Sequence, residues 1–172
     1  MKNSNRNIPL FLILFAGFFA LAARPAMAEQ YAFVDVAKIF DEYQKTKDND
    51  EALKVVGKAK EDERENLVKS VRALKDELVL LTDEAKTKKQ DELDGKIREL
   101  QDFDQAAKRE LGEKRNKLVR EIFQDIDTVV QKFGERKGFD MIFNERALLY
   151  HSGKLDVTQE VLTELNAGYK KS

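Results

Sequence analysis

The stretch from Leu67 to Phe133 most constrains the fold, because its apolar residues recur at helical spacing and nearly everything between them is charged. In its first half the steps alternate between four and three residues, through Leu67, Val71, Leu74, Leu78 and Leu81. The second half continues the pattern with Leu93, Ile97, Leu100, Ala107, Leu111 and Leu118, interrupted at Asp104 and Lys114. Such spacing places a narrow apolar seam on one side of a helix. We predict two long helices folded back on each other as an arm that projects from a separate base.

The first 28 residues have the pattern of a cleavable signal peptide. Lys2 and Arg6 precede a 14-residue apolar run, and Ala26-Met27-Ala28 supplies small residues for a cleavage site. The run is shorter than the roughly 20 residues that span a bilayer. We expect cleavage after Ala28 and export, with an uncleaved N-terminal anchor as the alternative because Arg24 follows the run.

The charge balance argues against a nucleic-acid-binding protein. The whole chain has 31 basic and 32 acidic residues, and the leader removes three basic residues and no acids, which leaves a formal charge of −4. Nucleic-acid binding depends on a cationic surface that neutralises phosphates. Cysteine is absent, which excludes disulfides and thiolate metal sites.

The segments before the seam predict a short strand followed by a helix. Residues Gln30–Val36 are rich in β-branched and aromatic side chains, and Asp35 is placed to cap the helix that follows. The apolar pattern weakens at Gln44–Glu51, where we expect a kink. The polar stretch Lys58–Asn66 should remain helical because its residues are strong helix formers.

The reversal of the arm is predicted at Leu81–Lys88. Thr82, followed by two acidic residues, resembles a helix N-cap. The second helix should end at Lys137, with Gly138 as its C-terminal cap. From Leu118 onward its apolar face broadens, which indicates burial in the base.

Two further strands and a terminal helix are predicted after Gly138. Residues 139–143 and 147–151 are apolar runs joined by the link Asn144-Glu145-Arg146, which favours a hairpin. Asp156 and Gln159 have the spacing of a capping box that opens the terminal helix. We expect this helix to close at Asn166 and Gly168.

A base of three short strands and one short helix is too small to fold alone without disulfides, metals or oligomerisation. We therefore expect the sheet to be completed between subunits. The predicted oligomerisation residues are Tyr31, Phe33, Val34, Phe139, Ile142, Leu148 and Tyr150. A ligand site lined by the aromatic residues is the less economical alternative. The predicted divisions are 1–28 for the signal peptide, 29–45 and 119–172 for the base, and 46–118 for the arm.

Catalytic chemistry is not indicated. His151 is the single histidine and lacks partners at metal-ligand or catalytic spacing, so we assign it a structural or solvent-facing role. The carboxylates alternate with lysines on helix faces, and phosphate-binding glycine loops are missing. We predict a protein without enzymatic activity, metal or cofactor.

The order of motifs resembles the Skp/OmpH family of periplasmic chaperones. The residues that carry the resemblance are Tyr-Ala-Phe-Val-Asp-Val at 31–36, Gly-Phe-Asp-Met-Ile-Phe-Asn at 138–144, Ala-Leu-Leu-Tyr at 147–150 and Asp-Val-Thr-Gln-Glu-Val-Leu at 156–162. The resemblance implies an α+β, predominantly helical fold, with a long antiparallel helical hairpin projecting from a small β-barrel trimerisation base that carries a C-terminal helix. It also implies a periplasmic homotrimer that encloses unfolded outer-membrane proteins between its arms, as a holdase independent of ATP.

The chain departs from this family in charge, since well-known members are strongly basic. A local cationic cluster remains at the predicted tip of the arm, formed by Lys86, Lys88 and Lys89. It is a candidate contact for client or membrane lipid, and a solvated turn is the alternative because acids flank it. Two rival functions stay open: an exported coiled-coil scaffold of the cell envelope, and a membrane-surface binder.

Overall fold

The computed structural model describes residues 29–170, so the predicted signal peptide lies outside the described residues. Two long helices form an arm on a small α/β base. In chain order the elements are β1 (Tyr31–Val34), α1 (Val36–Glu42), α2 (Gln44–Leu80), α3 (Asp83–Lys137), β2 (Met141–Asn144) and α4 (Thr158–Gly168). Short 3-10 turns occupy Glu145–Ala147 and Gly153–Leu155.

The arm consists of α2 packed antiparallel against α3, and the helices are joined by Leu81 and Thr82 alone. This confirms the predicted reversal and the helical state of the polar stretch at 58–66. With 37 residues, α2 is about 55 Å long at ~1.5 Å per residue. Leu74 and Leu93 are the buried members of the seam, with 8% and 5% of their surface exposed. The seam is therefore narrow, as predicted.

The helix ends follow local sequence signals. The Asp35 carboxylate accepts a hydrogen bond from the Lys38 N–H at 3.0 Å, which confirms it as the N-cap of α1. Gly138 adopts a left-handed conformation (φ 76°) that ends α3 and that side chains with a Cβ rarely adopt. Thr82 is the N-cap of α3 by position but makes no capping bond with its side chain. The predicted position of the kink, within Gln44–Glu51, is wrong. The break lies just before it, at Tyr43, whose extended backbone separates α1 from α2.

The predicted hairpin at 139–151 is wrong. Strand β2 pairs in parallel with β1, from Tyr31 opposite Met141 to Val34 opposite Asn144, so the whole arm is the crossover connection between them. The link after β2 folds into a 3-10 turn, because the Asn144 side chain accepts a hydrogen bond from the Arg146 N–H at 3.2 Å. Residues 148–151 form no strand in the described part of the chain. The described sheet has two strands, and the barrel implied by the resemblance is not present within one chain.

The terminal helix begins at Thr158 and packs on the first strand. The Asp156 carboxylate accepts from the Thr158 N–H at 2.8 Å, so the predicted capping box with Gln159 is replaced by a tighter local bond. The Val157 N–H donates to the Phe33 carbonyl at 3.0 Å on the edge of β1 that β2 leaves open. α4 ends at Gly168, as predicted.

The hydrophobic core lies in the base. Its buried members come from β1, α1, the root of α3 and the terminal helix, namely Ala32, Val34, Ile39, Tyr43, Ile122, Ile126, Phe133, Val157, Val161, Leu162 and Leu165. Residues 44–121 contribute nothing to this cluster. The arm is therefore held to the base by its root, and the rest of its length projects.

Candidate functional site

Charged side chains bridge the two helices of the arm along its length. Near the tip, Lys89 donates to Glu77 of the opposite helix at 2.8 Å and to Glu92 of its own helix at 3.1 Å. These two hydrogen bonds, with Glu77 as the stronger influence, raise the pKa of Lys89. Such exposed pairs contribute little stability individually, but they fix how the two helices face each other.

Farther down the arm, the seam interruption at Asp104 is explained by a partner on the other helix. Arg64 contacts both carboxylate oxygens of Asp104, through Nε at 2.8 Å and Nη2 at 3.3 Å. The hydrogen bond to Asp104 raises the pKa of Arg64. Lys60 lies over the Phe103 ring and reaches Glu110 at 3.5 Å. At Asp104, where the seam lacks an apolar residue, an ion pair with Arg64 therefore joins the two helices.

The tip of the arm exposes an apolar pair beside the predicted lysine cluster. Val79 and Leu80 have 80% and 87% of their surface exposed. An open cleft of about 560 Å³ lies beside them, lined by Glu77, Leu80, Leu81, Ala85, Lys88, Lys89 and Glu92. The lysines were predicted from the sequence, whereas this apolar pair was not, because it falls outside the seam spacing.

The three predicted tip lysines differ in their surroundings. Lys86 pairs with Asp83 at 3.2 Å, and Lys89 is held by two glutamates. Lys88 lines the cleft. The structure therefore brings Lys88 and Lys89 to one cleft and pairs Lys86 within its own helix turn.

Four of the seven predicted oligomerisation residues pack inside the base of the single chain. Phe33 and Val34 are buried, and Phe33 stacks against the His151 ring with centroids 4.0 Å apart. Phe139 stacks on Phe133 at 6.2 Å, and Ile142 is half-buried against the core. These side chains shape the sheet from within, and their predicted role between subunits stays a prediction.

The remaining three lie on the outside of the base. Tyr31 has 38% of its surface exposed and lies beside Phe143. Leu148 is half-buried, and Tyr150 has 87% of its surface exposed. Further exposed apolar residues of the base, which the sequence pattern did not single out, are Met141, Phe143, Leu149 and Leu155. We call Leu148, Leu149 and Tyr150 the exposed segment. Alternating exposure in β2 was the missed signal, since Met141 and Phe143 share a face.

His151 has a structural position next to the exposed segment. Its Nε2 lies 3.1 Å from the Glu145 carboxylate, and its ring covers Phe33. No group of three or more metal-ligating side chains occurs within residues 29–170. The helices described for this chain include none that is long and apolar enough to cross a membrane.

The arrangement suits contact with an extended partner more than binding of a small molecule. Its clefts are open, and most of its exposed large apolar residues lie on the base and at the tip, with Val55 (63% exposed) on the arm between them. The rest of the exposed surface of the arm is mainly charged. Such a surface is suited to many weak contacts with a long partner.

Comparison with known proteins gives one family and a structural neighbour. Residues 30–165 match the family described as outer membrane protein (OmpH-like). A solved structure from Caulobacter crescentus, provisionally described as an OmpH-like outer membrane chaperone, superposes with a TM-score of 0.77. The two sequences are 16% identical, and the match covers 84% of this chain and 88% of the other, which shows a shared fold. No curated protein matches the chain.

Proposed function

We infer the function from one premise, which is that this chain belongs to the OmpH-like outer membrane protein family. We propose that it is a periplasmic holdase chaperone independent of ATP. Its clients are unfolded outer-membrane proteins, which it holds between the helical arms of a homotrimer and keeps from aggregating in transit. The structural neighbour's description as an outer membrane chaperone supports this proposal.

The observation that carries the proposal is the separation of arm from core. Residues 44–121 contribute no side chain to the hydrophobic cluster of the base, yet they form two paired helices about 55 Å long. Because the core of the base closes without side chains from the arm, the faces of the arm are available to border a space. Copies of the arm placed around a common axis would enclose a volume large enough for an unfolded chain.

The exposed segment supports assembly of several copies. Leu149 is fully exposed and Tyr150 nearly so, and Met141 and Phe143 of β2 are also exposed. Contiguous apolar surface of this kind marks interaction sites in soluble proteins. Within residues 29–170, β2 has one paired edge, so its other edge can pair with a strand from a second copy.

The proposed mode of holding is many weak contacts. Most exposed side chains of the arm are charged, and several of them pair along their own helix, as in Lys58 with Asp62 at 3.0 Å and Lys69 with Glu65 at 2.8 Å. A client that touches such walls at many points is retained by effective concentration, while each contact breaks readily. Release then requires no nucleotide.

The test is an aggregation assay. A urea-denatured β-barrel outer-membrane protein is diluted into buffer with one trimer equivalent of the mature chain, and light scattering is followed. The chaperone should suppress scattering almost completely. If the protein is instead an envelope scaffold, scattering should match that of a sample without it, and the holdase proposal fails.

A matched pair of variants connects the activity to assembly. Leu149→Asp places a charge on the exposed segment, and Val79→Asp places the same charge on the exposed tip. Neither side chain is buried in the single chain, so both variants should keep its fold. We expect Leu149→Asp to abolish protection and Val79→Asp to retain most of it. Full protection by a monomeric Leu149→Asp variant would contradict the enclosure mechanism.

Contact with lipid is a second proposal, limited to the arm tip. The apolar pair Val79 and Leu80 beside the cation Lys88 is the observation that favours it. Binding to vesicles containing anionic lipid should weaken on Lys88→Gln if the tip meets membranes. Unchanged binding, or none with the unmodified protein, rules this contact out.

A further inference from the structure

The root of the arm is fastened to the base by the last residues of the terminal helix. Helix α2 begins at Gln44, directly after the break at Tyr43, and Tyr43 makes no side-chain capping bond there. The cap comes from 122 residues away, because the Gln44 N–H donates to the Asn166 side-chain oxygen at 2.9 Å. One turn further into α2, the Tyr169 hydroxyl donates to the Asp48 carboxylate at 3.2 Å.

Aromatic packing joins these two bonds. The Tyr169 ring meets the Tyr43 ring edge-on, with centroids 5.8 Å apart. α4 itself is fixed to α3 by Leu165 in the core and by the paired Arg136 and Glu164. The end of α4 is therefore fixed against α3, and from there Asn166 and Tyr169 bond to the first turns of α2.

The two helices of the arm are anchored differently. α3 runs without interruption from the tip into the base, whereas α2 is interrupted at Tyr43. On its other side the root of α2 contacts α3 through Tyr43 and Lys45, which both donate to Asp125, at 3.3 and 2.7 Å. These bonds fix the root of α2 to the root of α3, and Tyr43 also packs in the core of the base. The bonds from α4 are a second, separate attachment of α2 to the base.

A small tilt of the arm is incompatible with these bonds. Packed helices lie about 10 Å apart, so a bend of about 10° in their common plane shifts one along the other by nearly 2 Å. A hydrogen bond of 2.9 Å that lengthens by that amount is broken. Over the ~55 Å length of α2 the same bend moves the tip by about 10 Å.

We propose that Asn166 and Tyr169 form a latch that locks the arm at its root, and that opening the latch allows the arm to tilt. The latch consists of the exposed Gln44–Asn166 hydrogen bond, the half-buried Tyr169–Asp48 hydrogen bond and the Tyr169–Tyr43 ring pair at the edge of the core. Opening it separates Tyr169 from Tyr43 while Val161, Leu162 and Leu165 of α4 stay in the core. Where several arms border a client space, the latch sets how far that space widens, a consequence that rests on the proposed function. The latch itself is a property of each chain and needs no client.

The experiment measures arm motion directly. Because the chain has no cysteine, Arg72→Cys and Lys154→Cys give one spin label on the arm and one on the base. Both native side chains are exposed. The mature chain is mixed with an excess of unlabelled chain, and the distance distribution within a chain is read by double electron–electron resonance. Arg72 lies about 43 Å along α2 from the break, so a tilt of about 10° shifts it by roughly 7 Å.

Tyr169→Phe removes the hydroxyl and keeps the ring, and Asn166→Ala removes the cap. We expect the double variant to broaden or shift the distribution by about 5 Å, consistent with the geometry above, and Tyr169→Phe alone to have a smaller effect. The matched control is Thr163→Ala on the same helix, whose hydroxyl bonds only to the Gln159 carbonyl of that helix among the described contacts. It should leave the distribution unchanged.

Two results would overturn the latch. One is an unchanged distribution in both latch variants with helix content intact by circular dichroism. The other is equal broadening in Thr163→Ala. If the double variant loses helix content, Tyr169→Phe alone decides, and no broadening in that variant rejects the proposal. Client protection is not part of the readout, so the latch and the holdase function can fail separately.

Discussion

Single residues at helix ends were the most predictable features of this chain. The helix ends at Asp35 and Gly138 follow from capping chemistry, which depends only on neighbours in sequence. The reversal before Asp83 lies where it was predicted, although the Thr82 side chain makes no capping bond. The cap of α2 was not predictable in this way. Its partner Asn166 is supplied from the other end of the chain, and the sequence analysis assigned that residue only to closing its own helix.

Tyr43 shows how a residue at the break acquires a role that spacing alone does not reveal. Its spacing after Asp35 would fit one more apolar position of the first helix, but Tyr43 ends that helix and buries its ring in the base. Burial, reinforced by the Asp125 carboxylate, raises the pKa of Tyr43 to about 12. The neutral hydroxyl is therefore favoured in the folded state.

We predict a stability difference at Tyr43 that depends on alkaline pH. The pKa of Tyr43 in the folded protein lies above the ordinary tyrosine value of about 10. The contribution of its neutral hydroxyl to the free energy of unfolding is therefore complete below pH ~10 and is lost as the pH rises towards 12. Tyr43→Phe should cost about 1 kcal/mol near pH 8 through the lost hydrogen bond, and the difference from the unmodified protein should shrink above pH ~10. Denaturant unfolding between pH 8 and 11 measures it.

The control for this prediction is Thr128→Ala, whose exposed hydroxyl does not ionise and bonds to the Gln124 carbonyl of its own helix. Its difference from the unmodified protein should be small and the same at every pH in the series. A Tyr43→Phe deficit that stays constant or grows with pH would contradict the proposed origin of the stabilisation.

At the scale of elements, the helices were predictable and the strand pairing was not. The arm helices follow from a seam repeated over many turns, so one interruption such as Asp104 does not alter the outcome. The pairing of β2 depends on β1, which lies 110 residues earlier, and a short polar link suggested a nearer partner. Instead, the Asn144 side chain accepts a hydrogen bond from the Arg146 N–H in a 3-10 turn, and the chain leaves the sheet there.

The seam itself yields a prediction about the arm. Leu74→Ala removes a side chain that is 92% buried in the pair of helices, and large-to-small substitutions of this kind cost about 2 to 3 kcal/mol at the low end of their range. The arm should melt earlier in thermal circular dichroism. Val79→Ala, on the exposed side of the same helix, should change stability by less than about 0.5 kcal/mol. Equal effects of the two substitutions would show that the seam does not hold the arm together.

At the scale of the whole molecule, the family predicted from the sequence is confirmed, and the assembly remains a prediction. The barrel was implied by the family resemblance, and three strands were predicted in each chain, whereas the described chain has two. What a single chain offers instead is an unpaired edge of β2, an exposed segment beside it and a projecting arm. The role of these features depends on contacts with other copies of the chain. The spacing of residues within one chain can therefore suggest an assembly but cannot define it.

The central claim is that copies of this chain assemble through the base and border a common space with their arms. Sedimentation equilibrium of the mature protein at micromolar concentration tests it most directly, alone and with an unfolded outer-membrane protein. We predict three times the mass of the chain alone, and the mass of three chains plus one client in the mixture. A folded monomer in both samples would contradict the claim.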